Sequence, residues 1–250
     1  MILRKVRFIS EKYQMFNVDL SANKSSREIL ANFMIAAVSL FVNGFGIYLT
    51  LKANLGAAPW DVLNLGIAKS LGILFGTASI AVSLIILLID IGLKEAIGLA
   101  MFIDAVVVGK SVDFFNHFDF MPAPKNLAIS LLYMTLGLFI IGYTQLFYMK
   151  ASLGCGPRDT LLVGITRRLP KIPIGVVGII IQGTATLIGY FLGGPVGLGT
   201  IICALLQGPI MQLCFKSVNF DATGIKHENL IESASVFAGS LKRHGIIIQS

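Results

Sequence analysis

The chain has 250 residues, of which 55% are hydrophobic and 13% charged, with a mean hydropathy of +0.81. Soluble domains carry roughly 25% charged residues, so a soluble enzyme or nucleic-acid-binding domain is excluded and a polytopic membrane protein is indicated. The formal net charge of +7 does not form a basic stripe. The basic residues gather in an N-terminal segment, one middle loop and a C-terminal tail, as in cytoplasmic loops.

Residues 1–28 form a polar, mixed-charge lead, expected to be cytoplasmic and either solvated or a short surface helix. It lacks the basic-then-apolar order of a signal peptide, so the first apolar segment is expected to stay as an anchor. Apolar runs of about 20 residues, enough for a hydrocarbon core, follow at 33–51, 73–93, 96–115, 127–149, 172–192 and 196–215. A polar turn with Asn116, His117, Asp119, Pro122 and Pro124 divides them three and three. This gives two membrane repeats, 29–120 and 121–216, and a cytoplasmic tail, 217–250, with a possible amphipathic helix at 230–241.

After the first run of each half stands the same motif. Lys52/Lys150, Ala53/Ala151, Leu55/Leu153, Gly56/Gly154, Pro59/Pro157, Asp61/Asp159, Leu63/Leu161, Gly66/Gly164 and Ile67/Ile165 coincide without a gap. Shared leucines arise from apolar composition alone, but shared Lys, Gly, Pro and Asp do not, so the chain is an internal duplication. After a one-residue insertion, Gly76/Gly175, Gly98/Gly197, Ile103/Ile202, Ala105/Ala204 and Gly109/Gly208 match as well.

The segment 59–71 is too short to cross a bilayer and suits a half-helix. Three spans per repeat then make the halves enter the membrane in opposite orientations. With both termini cytoplasmic, only Lys52, Lys69, Lys110 and Lys125 of the 20 basic residues fall outside. The other sixteen fall inside, a strong positive-inside bias. The expected fold is an all-α polytopic membrane protein of two inverted three-helix repeats, six spans in all, each with a broken helix after its first span.

Within each motif, Gly56, Gly154 and Gly156 break the preceding helix. Pro59 and Pro157 suit the first position of a new helix, where a missing N–H costs nothing. Asp61 and Asp159 then fall at the third position. There a carboxylate complements the positive helix end or folds back onto free N–H groups, a purely architectural role. The functional reading uses the same geometry: broken helices in corresponding positions of inverted halves mark a transporter's substrate site. Trp60 and Arg158 occupy equivalent positions but differ. An aromatic platform and a cation would suit a planar or anionic solute, while a belt residue and a cytoplasmic anchor are the bland alternatives.

Asp104 falls mid-span opposite Cys203 in the other repeat, and is the candidate for proton coupling, against packing as a neutral acid. Lys110 and Asp113 are spaced to pair on one helix face. Asp90 is expected at a solvated membrane edge. Gln145, Gln182 and Gln207 are expected to line the same cavity or to bond between helices. Gly189 and Gly193 are spaced for close helix packing.

The repeated motifs, with the downstream GGPVGLGT and QGP stretches, resemble the YczE/YyaS/YitT-type family of bacterial integral membrane proteins. The resemblance covers nearly the whole hydrophobic region and is nearer the YczE side, without a C-terminal soluble domain. It implies the bacterial inner membrane and brings no ligand or catalytic residue with it.

No HExxH, Walker A or GxSxG motif occurs, and His117, His227 and His244 lie outside the spans without ligand spacing. Cys155, Cys203 and Cys214 are expected as buried, inert thiols. The chain is therefore not expected to be an enzyme or to hold a metal or cofactor. The expected function is a small-molecule secondary permease or exporter with a central site at the two motifs. A non-transporting membrane adaptor, contacting a partner protein or a second copy through its tails, is the alternative. The bilayer and a small solute are the other expected partners, and nucleic acid is not.

Overall fold

The computed structural model describes residues 26–95, 97, 99–151 and 156–219, with the backbone alone at 26–30, 99 and 100. Among the described residues there are eight α-helices and no strand. They are α1 (Ser26–Lys52), α2 (Pro59–Leu71), α3 (Phe75–Gly92), α4 (Leu99–Phe118), α5 (Leu127–Lys150), α6 (Pro157–Arg168), α7 (Ile174–Phe191) and α8 (Leu198–Ser217). The expected surface helix in 1–28, the helix at 230–241, and Gly98, Gly154 and Cys155 lie outside the described residues.

Five helices are long and apolar enough to cross a membrane: Ala31–Lys52 of α1, then α3, α5, α7 and α8. α4 has the length but carries Asp104, Lys110 and Asp113, a charge load that sets it apart by composition. α2 and α6, with 13 and 12 residues, rise only about 20 Å at 1.5 Å per residue and fall short of a hydrocarbon core.

Side-chain contacts fix the helix directions. Asn43 donates to Thr144 (2.9 Å), while Gly46 and Thr50 meet α5 at Gly137, so α1 and α5 are antiparallel. Leu40 packs with Ile103, Phe41 with Phe115 (ring centroids 5.1 Å apart) and Tyr48 with Asp119, so α1 and α4 run parallel. α5 and α8 run parallel too, through Met134 beside Cys203, Gly142 beside Cys214 and Tyr143 beside Ser217. At the end of α1, the Lys52 ammonium and the Tyr48 hydroxyl both donate to Asp119. Tyr48 in turn accepts from the Met121 backbone, which ties the turn between halves to the bundle.

Each half-helix packs against the third helix of the other half. α2 lies on α7, where Gly189 abuts the backbone of Val62 and Leu63, and Ser70 donates to the Leu192 carbonyl (2.9 Å). α6 lies against α3 and the loop after it. There Arg167 (3.0 Å) and Arg168 (2.8 Å) both pair with Glu95, and Arg168 also donates to the Leu93 carbonyl. The halves are interlocked rather than side by side.

Three expectations change. Asp90 is fully buried in α3, not solvated: its repeat position is Gly189, the face of the third helix that receives a half-helix. Asp113 does not pair with Lys110; its Oδ1 accepts from the Gly76 N–H (2.7 Å). That N–H lies in the first turn of α3, where it has no helical acceptor, so it draws the carboxylate across to α3. Gly189 does serve close packing, but Gly193 lies beyond α7 at φ +86 and forms the turn instead.

Candidate functional site

Both motifs break the chain as their glycines and prolines dictate. α1 stops at Lys52, and Ala53 to Ala58 run irregularly before Pro59 opens α2 at N1. Irregular backbone within a membrane must satisfy its polar groups internally. Here Ala57 N–H donates to the Pro195 carbonyl (3.2 Å), and Leu55 O accepts from Gly199 N–H (2.6 Å). Gly56 sits at φ +101, with a would-be Cβ only 2.6 Å from the Gly197 nitrogen, so glycine is required there. In the second half, extended Gly156 (φ −66, ψ 160) precedes Pro157, again at N1.

The two helix starts meet across a central cavity of about 670 Å³. Asp61, Asp159, Trp60, Arg158, Asp104, Gln145, Gln182 and Gln207 all line it, with Pro59 and Gly156. The Arg158 guanidinium lies over the Trp60 ring, 5.2 Å from its centroid. The two positions that break the symmetry are therefore in contact with each other.

Among the described residues, neither aspartate accepts a hydrogen bond from the free N–H groups of its own helix start. Asp159 Oδ2 accepts from Gln145 Nε2 (3.4 Å). Asp61 is 5% exposed, lines the cavity, and makes no hydrogen bond or ion pair among the described residues. Asp104 Oδ2 and Asp159 Oδ2 stand 3.0 and 3.8 Å from the point a Cβ on Gly156 would occupy, so these carboxylates are neighbours. Among the described residues, no carboxylate lies within 4.0 Å of the Arg158 guanidinium. Three carboxylates, one guanidinium and two positive helix ends thus share one chamber.

Sequence reasoning missed Asn43, Ser79, Ser83 and Gln212, which also line the cavity. The repeat register contains the signal for one of them, since Ser83 is the counterpart of Gln182. Cys203 and Cys214 are buried free thiols, and Cys203 also lines the cavity. No group of three potential metal ligands occurs among the described residues.

The cavity walls are not equivalent in the two halves. α3 and α4 close on each other at Gly76 and Gly109, where a Cβ on Gly109 would lie 2.7 Å from the Gly76 carbonyl oxygen. At their counterparts Gly175 and Gly208 an added Cβ would meet nothing within 4 Å among the described residues. The cavity reaches between them, lined by Ile174, Gly175 and Gly178 of α7 and by Gln207, Gly208 and Gln212 of α8.

The model of a family described as "Family of unknown function (DUF6198)" matches residues 30–216. An uncharacterized protein of Haemophilus influenzae is 31% identical over 178 residues, 71% of this chain and 80% of the relative. The uncharacterized membrane protein YczE of Bacillus subtilis is 29% identical, covering 74% of this chain and 86% of its own. The uncharacterized protein YyaS of the same organism is 26% identical, over 72% and 90%. No solved structure matches. The chain is a membrane protein that belongs to this family of unknown function and is related to YczE and YyaS.

Proposed function

We propose that the protein is a secondary permease for a small solute, with its central site at the two motifs. The observation that carries this reading is one chamber bounded by both half-helix starts and by three carboxylates. Broken helices facing each other from the two halves of a duplicated bundle are the usual construction of a transporter site. The helix directions and the distribution of basic residues support six spans in two inverted repeats, both termini cytoplasmic, in the bacterial inner membrane. On this arrangement the gap between Gly175 and Gly208 lies toward the cytoplasmic side of the cavity.

In this reading the protein is not an enzyme and uses no cofactor. Asp104 sits beside Asp159 and Gly156 and serves coupling, its charge changing with the occupant. The test is uptake into proteoliposomes, with solutes first chosen by thermal shift. Asp104→Asn is expected to abolish the pH dependence of uptake while leaving folded protein abundant. Solutes that bind but never cross, together with phenotypes that need only the terminal tails, would replace the permease by a membrane adaptor.

A further inference from the structure

We infer that the central cavity takes a lipophilic organic monocation. The inference deepens the permease reading and rests on it for the choice of site.

Charge is the first argument. Asp61, Asp104 and Asp159 line the chamber against one cation, Arg158. Each helix start contributes roughly half a positive charge, so the ionised site carries a net charge of about −1. An anion would add to that excess, whereas a monocation neutralises it.

The second argument is independent of the acidic count. Asp61 is 5% exposed and presents its carboxylate to the cavity without any donor among the described residues. A buried carboxylate of this kind is costly unless a cation or a proton accompanies it. Arg158 lies over Trp60 and forms no ion pair within 4.0 Å with any carboxylate among the described residues, so its charge reaches Asp61 only at longer range and is shared with Asp104 and Asp159.

Size and wall chemistry set the rest. About 670 Å³ falls within the range of roughly 300–1,000 Å³ typical of organic ligands and is far more than a bare metal ion fills. Ile47, Val108, Leu138 and Ile141 line the chamber beside the carboxylates. The chamber also reaches between α7 and α8, whose outer faces are apolar. A cation that dissolves partly in lipid fits both the walls and this approach.

The test uses the purified full chain in detergent and two probes of one shape and opposite charge, tetraphenylphosphonium and tetraphenylborate. Saturable, protein-dependent binding of the phosphonium is expected, with the borate failing to displace it. Asp61→Asn should weaken phosphonium binding about tenfold or more, at a melting temperature showing that the protein is folded. Arg158→Gln should strengthen it, because a like charge is removed. Should Asp61→Asn fail to fold, Asp104→Asn and Arg158→Gln carry the test. Borate binding as tight as phosphonium binding would overturn the inference, as would unchanged phosphonium affinity in the aspartate variants. Asp61-dependent phosphonium binding without uptake would sink the permease and leave the site chemistry standing. Uptake of an anion that Arg158→Gln abolishes, without phosphonium binding, would do the reverse.

Discussion

At the scale of single residues, Gly56 shows how the motif's sequence becomes its geometry. Its φ of +101 and its contact with the Gly197 nitrogen leave no room for a side chain. Gly56→Ala should therefore cost about 1–3 kcal/mol through backbone strain, read as a lowered melting temperature. Gly208→Ala, placed in open space, serves as the control, and equal losses would remove the explanation. Asp119 belongs to the same scale. Hydrogen bonding from Lys52, with Tyr48 adding to it, holds its carboxyl below the usual carboxylate range. A depressed folded-state value gives stability that is present above the ordinary carboxylate range and lost as pH falls through the folded value. Asp119→Asn should thus lower the melting temperature slightly at neutral pH. The difference should vanish in acid, and one that persists there would point to packing rather than charge.

At the scale of helices, the breaks were legible because Gly and Pro act locally, and so was the presence of six long helices. Partner choice was not legible. Lys110 and Asp113 satisfy a spacing rule within one helix, but an N–H without a helical acceptor on α3 attracts Asp113 more strongly. Asp90 misled for the same reason: its position along α3 suggests an edge, yet it is fully buried, one turn beyond Ile86 on the face where Val82 and Ile86 pack with Leu161 of α6. The contact of Arg158 with Trp60 also needs the fold, since each residue's own neighbours give no hint of the other. Trp60, Asp61, Arg158 and Asp159 were legible through the duplication, which marks equivalent positions before any contact is known, and Asp104 and the three glutamines through their polarity within apolar runs. The Asp113 bond gives an expectation of its own. Asp113→Ala should cost about 1–3 kcal/mol by leaving the Gly76 N–H without its acceptor, while Lys110→Ala should cost little. The opposite order would restore the ion pair within α4. The proposed inversion is tested by single cysteines introduced near Lys125 and near Arg168, which should be labelled from opposite faces of the membrane. Labelling from one face would remove it.

At the scale of the whole molecule, the duplication is broken in a way that suggests motion. α3 and α4 meet through Gly76 and Gly109, fastened by Asp113, while α7 and α8 stand apart at Gly175 and Gly208. Two halves of common sequence hold two different packings, so the proposed permease activity would give a pair of states if the two halves exchanged them. In the exchanged state, Gly175 would rest on Gly208 and Gln212 would take the place of Asp113. α8 is suited to the change because Pro209 follows Gly208 inside the helix, where it removes a backbone hydrogen bond and permits a bend. If the proposed permease alternates in this way, closing α7 on α8 is an obligatory step. A bulky Gly208→Val should leave the melting temperature of the present state nearly unchanged, because a Cβ there meets nothing within 4 Å among the described residues, yet block uptake. Paired Gly175→Cys and Gly208→Cys should form a disulfide slowly under mild oxidation. The bond needs Cα atoms within about 7 Å, a separation reached only when the helices close. Cross-linking should arrest uptake, and reduction should restore it. Normal uptake by Gly208→Val, or by the cross-linked protein, would show that the open side never closes and that the asymmetry is fixed.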